Sequence, residues 1–242
     1  PESPSVSVIV PARNEAGNIE TLVRRMPKMG TNDELIFVEG HSTDNTWERI
    51  QEISKKYANE FRIKIAQQSG KGKADAVRKG FEMATGDIFM ILDADLTVPP
   101  EELPKFYKAI TSDLGEFING SRLVYPMGKK AMRFFNILGN KFFATAFSFV
   151  LGQRLKDTLC GTKVLTRDNY LKLTANRSYF GDFDPFGDFD LLFGATRLGL
   201  KILEIPIRYQ ERTYGETNIH RWKHGLLLFG MLSHAVRKIK FI

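Results

Sequence analysis

Between Ser5 and Leu92, four strand-like runs alternate with segments of helical period, and that alternation admits few folds. The runs are Ser5 to Val10, Leu35 to Val38, Arg62 to Ala66 and Ile88 to Leu92. Short stretches rich in β-branched residues, the first closed by Pro11, read as strands. Ile19, Leu22, Val23 and Met26 recur at helical spacing after the first run. Trp47, Ile50, Ile53 and Tyr57 do so after the second, with Asp44 at an N-cap position. A third helix is expected from about Lys73 to Ala84. Strands that are apolar on both faces and joined by helices require a mostly parallel sheet covered on both sides. Ligands of such α/β sheets bind beyond the carboxyl ends of the strands, so chemistry is expected after Val10, Val38 and Leu92.

Beyond residue 115 the pattern changes. Phe117 to Ser121 reads as a fifth strand, Met132 to Leu151 as a long helix, and Lys163 to Thr166 and Lys201 to Ile207 as further strands. A basic helix is expected from about Asn218 to Lys238. With no repeat or linker in view, residues 1–217 are read as one domain and 218–242 as an amphipathic helical extension, membrane-surface or packed on the domain. Phe134 to Leu151 is interrupted by polar residues, and Gly225 to Val236 reaches only about half the roughly 20 residues of a spanning helix. Neither is expected to span a bilayer, and both suit its surface. The aromatic residues Phe134, Phe135, Phe142, Phe143, Phe147 and Phe149 are readable as core or as an interfacial face. The formal charge of +7 favours anionic partners. The single cysteine, Cys160, excludes an internal disulfide and fits a reducing compartment. A chain that starts with Pro1 is expected to begin at a processing or cloning boundary, and no signal peptide is visible.

Ile88-Phe89-Met90-Ile91-Leu92-Asp93-Ala94-Asp95 carries the strongest chemical signal. Two carboxylates one residue apart, just past a buried strand, project the same way. Such hard oxygens suit Mg²⁺ or Mn²⁺, which bridges nucleotide phosphates; the plain rival is a capped, solvated turn. After the first strand, Pro11-Ala12-Arg13-Asn14-Glu15 lacks the glycine-rich turn of a dinucleotide site. It offers instead a polar loop able to hold a base or ribose, or merely to cap the next helix. Glu39 is a candidate acceptor for a nucleobase, with Ser42 and Asp44 as capping residues. Gly70-Lys71-Gly72-Lys73 places two cations before a helix N-terminus, where phosphate is favoured; the plain rival is a solvated basic turn. The histidines lack a metal-binding spacing.

Together these pieces resemble a family 2 glycosyltransferase of the GT-A fold. The matching residues are Val8 to Glu15, the Gly70 to Ala74 turn, and Asp93-Ala94-Asp95 with Pro99-Pro100-Glu101. Gly120-Ser121-Arg122, Asp157 to Gly161, Glu204 to Ile207 and Arg212 to Thr217 resemble the polyprenyl-phosphate sugar synthases of the dolichyl-phosphate mannose synthase type. The chain differs from them in having Glu39-Gly40 in place of paired aspartates, Thr97 at a polar metal-site position, and Asn218 where a lysine is usual. The resemblance implies that Pro11, Arg13, Glu15 and Glu39 line the nucleoside pocket, with Lys71, Lys73 and Asp93 completing the donor site. It implies that Asp93 and Asp95 handle the metal, and that Arg122, Arg133 and Arg212 contact phosphates. It also implies inversion at the anomeric carbon and a location at the cytoplasmic face of a membrane.

Three functions follow for such a chain. Transfer from a GDP- or UDP-sugar to a polyprenyl phosphate needs arginine forks and no base. Transfer to a sugar hydroxyl needs a general base, for which Asp157 is the first candidate and Asp190 the second, ahead of Asp182, Asp184 and Asp188. A non-catalytic nucleotide-binding module would not need Asp93 or Asp95. No nucleic-acid motif is present, so no nucleic-acid partner is expected.

Overall fold

The computed structural model describes residues 3–122, 134–175, 187–215 and 221–237. The alternation is realised as β1 (Val6–Ala12), α1 (Ile19–Arg24), β2 (Glu34–Glu39), α2 (Thr46–Lys56), β3 (Arg62–Gln67), α3 (Lys73–Met83) and β4 (Ile88–Ile91). There follow α4 (Leu103–Thr111), β5 (Phe117–Ser121), α5 (Phe134–Leu151), β6 (Lys163–Thr166), α6 (Arg167–Ala175), α7 (Asp188–Arg197), β7 (Ile202–Pro206) and α8 (Arg221–Ala235). The strands form one sheet in the order β3-β2-β1-β4-β6-β5-β7. β1, β2, β3 and β4 pair in parallel, as do β5 and β7. β6 inserts antiparallel between β4 and β5, a reversal that the pattern of its four residues does not announce.

Successive strand residues face opposite sides of the sheet, and both sides are apolar. Val8, Val10, Leu35, Phe37 and Met90 meet α1, α2 and α4 on one side. Ile9, Ile36, Phe89, Phe117 and Leu165 meet α3, α5 and α7 on the other. Gly80 lets α3 lie directly on β1, because a methyl group there would collide with Ile9. α8 closes this second side: Leu228, Met231 and Ala235 are buried in the same cluster, and the Phe229 ring meets that of Phe143 at 5.0 Å.

The aromatic helix buries some of its rings and exposes others. Phe143 and Phe147 are core, with the Phe147 ring tilted against those of Phe189 and Phe193. Phe142, Phe149 and, from α8, Phe229 are 52%, 73% and 53% exposed. Phe134 and Phe135 have side chains outside the described residues. Among those residues, no helix is long and apolar enough to cross a membrane.

The amino ends of the strands are tied by buried polar groups. Glu34 is 2% exposed. Its Oε1 accepts from the Ser7 hydroxyl and the Thr85 N–H, both at 2.7 Å, and its Oε2 pairs with Lys64 at 2.8 Å. Burial alone would raise this carboxyl, but the Lys64 ammonium, Thr85 amide and Ser7 hydroxyl outweigh it and hold it below its ordinary value. A carboxyl lowered in the folded state contributes stability above its unfolded value, and loses it as pH falls through the folded one. Glu34→Gln is therefore expected to destabilise the protein by roughly 1–3 kcal/mol at pH 7. Urea titrations should show that deficit narrowing below the ordinary glutamate value of 4.5.

Candidate active site

The parallel strands bring their carboxyl ends to one edge, and the charged residues read from the sequence gather there. Glu15 follows β1 and is 5% exposed. Asp93 and Asp95 follow β4, and the Asp93 side chain retains 29% exposure. Arg212, from the loop after β7, spans two of these carboxylates. Its guanidinium donates to Glu15 Oε1 at 2.6 Å and to Asp95 Oδ2 at 2.8 Å. Lys73, the first residue of α3, pairs with Asp93 Oδ1 at 2.6 Å. Three carboxylates and two cations are thus paired, Arg212 with Glu15 and Asp95, and Lys73 with Asp93.

Local turns set these directions. Asp95 Oδ1 accepts from the Thr97 N–H at 3.0 Å and its hydroxyl at 2.7 Å. Leu96 between them takes a left-handed conformation, φ 58°, which an aliphatic side chain rarely adopts. Asn14 and His41, after β1 and β2, are left-handed too, at 57° and 56°. Such positions store on the order of 1 kcal/mol each and cluster at functional sites. Gly161 packs against the Lys73–Asp93 pair so closely that a Cβ would overlap Asp93 Oδ2 and Lys73 Nζ.

Burial pushes the Glu15 carboxyl up, and Arg212 only partly offsets it. Burial would raise Asp93 as well, but Lys73, Lys163 and Arg122 together outweigh it, so it titrates below the usual aspartate range.

A second group lies beside the first. Arg122, at the end of β5, donates from Nε and Nη2 to the two oxygens of Asp157 at 2.7 and 2.8 Å, and its own N–H adds a third bond at 3.0 Å. Its guanidinium lies over the Tyr209 ring, 5.5 Å from the centroid. The exposures of the two side chains are 13% and 0%. Replacing such a pair with apolar residues is often neutral, whereas removing one partner costs roughly 3–5 kcal/mol. The pair is therefore best read as a geometric device.

Residues 7–173 match the family model "Glycosyl transferase family 2". The chain belongs to glycosyl transferase family 2. A dolichol-phosphate mannosyltransferase of Pyrococcus furiosus is 32% identical over 98% of this chain and 64% of its own length. An undecaprenyl-phosphate 4-deoxy-4-formamido-L-arabinose transferase of Edwardsiella ictaluri is 25% identical over 92% of this chain and 63% of its own. The chain thus spans less than two thirds of both relatives. In three dimensions it resembles glucosyl-3-phosphoglycerate synthase of Mycobacterium tuberculosis, solved with Mn²⁺, UDP-glucose and phosphoglyceric acid. That match has a TM-score of 0.70 at 20% identity, covering 99% of this chain and 81% of the synthase. The fold is the GT-A fold.

Within this family 2 domain the structure sorts the residues named from the sequence. Glu15, Lys73, Asp93, Asp95 and Arg212 converge, and Arg122 stands beside them. Arg13 and Lys71 are exposed, and Pro11 is half-buried where β1 ends. Glu39 is 1% exposed, and its oxygens accept from the Ser42 N–H and from Gln67 Nε2. It ties the turn after β2 instead of offering an open acceptor. Asp157 needs the larger correction: with no exposure and both oxygens on Arg122, it is not placed to take a proton from an acceptor. Asp190 lines a cavity of about 60 Å³ beside α3, shared with Ala74, Val77 and Arg78. Arg133, Asp182 and Asp184 lie outside the described residues, as does the side chain of Asp188. Lys163 was not singled out in the sequence. It is fully buried on β6, donates to the Cys160 carbonyl and adds its charge to the field around Asp93. Its position in an apolar strand, as a lysine among buried neighbours, was the one available signal.

Gly161→Ala is expected to force Lys73 and Asp93 apart and to lower stability by roughly 1–3 kcal/mol, read by urea denaturation.

Proposed function

We propose that this chain is the catalytic domain of an inverting, metal-dependent glycosyltransferase that moves a hexose from a GDP- or UDP-sugar to a polyprenyl phosphate. The Arg122–Asp157 fork carries the acceptor half of this reading. A hydroxyl acceptor must lose a proton to a positioned base, and the first candidate for that base is committed to holding a guanidinium. A lipid phosphate is already ionised near neutral pH and needs orientation, which arginine supplies. Arg122 and Arg212, with Arg133, fill that part. The names of the Pyrococcus and Edwardsiella relatives point to the same acceptor class.

Asp93 and Asp95 are the residues that would hold Mg²⁺ or Mn²⁺. Among the described residues, no cluster of three or more His, Cys, Asp or Glu side chains is placed to bind a metal. One or two carboxylates fit a hard cation that completes its shell with substrate phosphate and water. The Mycobacterium synthase, solved with Mn²⁺ and UDP-glucose, supports such a pairing. When bound, the cation neutralises charge growing on the leaving diphosphate. Lys71 and Lys73, at the start of α3, face the same phosphates. Pro11, Arg13, Glu15 and Glu39 shape the nucleoside end, and Arg212 stands between the two halves. An oxygen of the acceptor phosphate, oriented by Arg122, attacks the anomeric carbon as the diphosphate departs from the opposite face. One displacement of this kind inverts the centre.

The exposed Phe142, Phe149 and Phe229, with exposed Lys141 on α5 and Arg237 just past α8, support docking on an anionic membrane surface, where the lipid substrate resides. The reading places that surface on the cytoplasmic side.

The test is transfer from labelled GDP- and UDP-sugars to a short polyprenyl phosphate, with Mg²⁺, Mn²⁺ or a chelator. Lipid-phase product that disappears with chelator, and falls by about 10²-fold or more in Asp95→Asn, is the expected result. Product on a glycan hydroxyl but not on the lipid would overturn the acceptor and turn attention to Asp190. Failure to bind any nucleotide sugar would overturn the enzyme reading itself.

A further inference from the structure

The Glu204-Ile205-Pro206-Ile207 segment has no part in the chemistry above, yet its carboxylate braces the acceptor-side arginine from behind. Glu204 lies on β7, the strand at the edge of the sheet. Its Oε2 accepts from the Lys156 N–H at 2.8 Å and its Oε1 from the Asp157 N–H at 3.0 Å. From the neighbouring β5, Asn119 Nδ2 donates to the Asp157 carbonyl at 2.7 Å and reaches Glu204 Oε1 at 3.5 Å. One carboxylate thus closes on two successive backbone N–H groups, in a stretch between α5 and β6 that has no helix or ladder of its own. That stretch presents Asp157, and Asp157 spends both oxygens on Arg122.

We infer that Glu204 is a positioning residue for the acceptor phosphate: it fixes the backbone of Asp157, and through Asp157 the direction of the Arg122 fork. The inference rests on the reading that Arg122 meets that phosphate. The residue type follows from the donors. Each N–H meets an oxygen of its own, and a carboxylate presents two acceptor oxygens. An amide offers one, and its NH₂ group would confront the second N–H. Burial and the nearby Asp157 both raise the Glu204 carboxyl, with the backbone donors pulling the other way.

The test pairs kinetics with a direct view of the guanidinium, in Glu204→Gln, Glu204→Asp and Arg122→Lys. In the wild-type protein the Arg122 Nε–H, assigned by its loss in Arg122→Lys, should give a slowly exchanging NMR signal. In Glu204→Gln its exchange should quicken by about tenfold, and KM for polyprenyl phosphate should rise by about tenfold. The values of kcat and nucleotide-sugar affinity should stay within about twofold. Glu204→Asp, which keeps both oxygens, should restore part of the change. Adding Glu204→Gln to Arg122→Lys should bring no further rise in KM, because the two act as one unit. A folded Glu204→Gln protein with unchanged Arg122 exchange and unchanged KM overturns the inference. So does a loss shared equally by kcat, donor affinity and melting temperature, which marks a merely structural role. If the wild-type chain makes no lipid product, the acceptor reading falls, and the Arg122 exchange rate still decides whether Glu204 positions it.

Discussion

Like charges drawn to one sheet edge repel, and the double ion pair of Arg212 is what lets this edge exist. Parallel strands deliver Glu15, Asp93 and Asp95 to the same place because β1 and β4 are neighbours running the same way. Arg212 answers two of these carboxylates and Lys73 the third. Since Arg212 lies beyond the last strand, the same contact pins the C-terminal loop across the first. Nearby contacts follow the same path: the Gln210 N–H donates to the Thr97 carbonyl at 2.8 Å, and the Tyr214 ring rests against Gly17. Charge balance at the site and closure of the chain are one event.

Polar side chains and tight turns organise both ends of the strands. At the amino ends, Asp33, Glu34 and Asp87 satisfy backbone and hydroxyl donors, and Asn32 and Asp113 take left-handed conformations. At the carboxyl ends, Asn14, His41 and Leu96 sit in left-handed conformations. A protein tolerates such strain where direction counts for more than stability. Here it aims Asp95 and joins the loops after β1 and β2, where the Thr43 N–H donates to Asn14 Oδ1 at 2.8 Å.

What the sequence disclosed depended on the range over which each feature is encoded. The first four strands and their helices are written in local periodicity, and the structure reproduces them within a residue or two. The Asp93–Asp95 pair was legible because strand geometry alone puts both carboxylates on one side. The reversal of β6 was not, since antiparallel pairing depends on which edges remain open, a property of the assembled sheet. Asp157 looked like an available base because the partner that consumes it stands 35 positions earlier. Glu204 was visible as part of a motif, but its purpose is legible only once β7 lies beside β5. Side chains that act on one another across the sheet leave no mark on the periodicity of either segment.

The place of β6 has a consequence for how the chain assembles as it leaves the ribosome. β1 to β4 need only one another, and the N-terminal half can organise while the remainder is still being made. β5 emerges next, but its two partners, β6 and β7, both come later. Until β6 arrives, the outer side of β4 is a row of unpaired amides and carbonyls, an invitation to pair with another chain. Sequence separation between partners slows this second half of the sheet. The aromatic side is sealed last of all, when α8 brings Leu228 and Met231 down over it. The interval between β4 and α8 is therefore when a nascent chain most needs a chaperone, and a chain stopped there would be prone to aggregate.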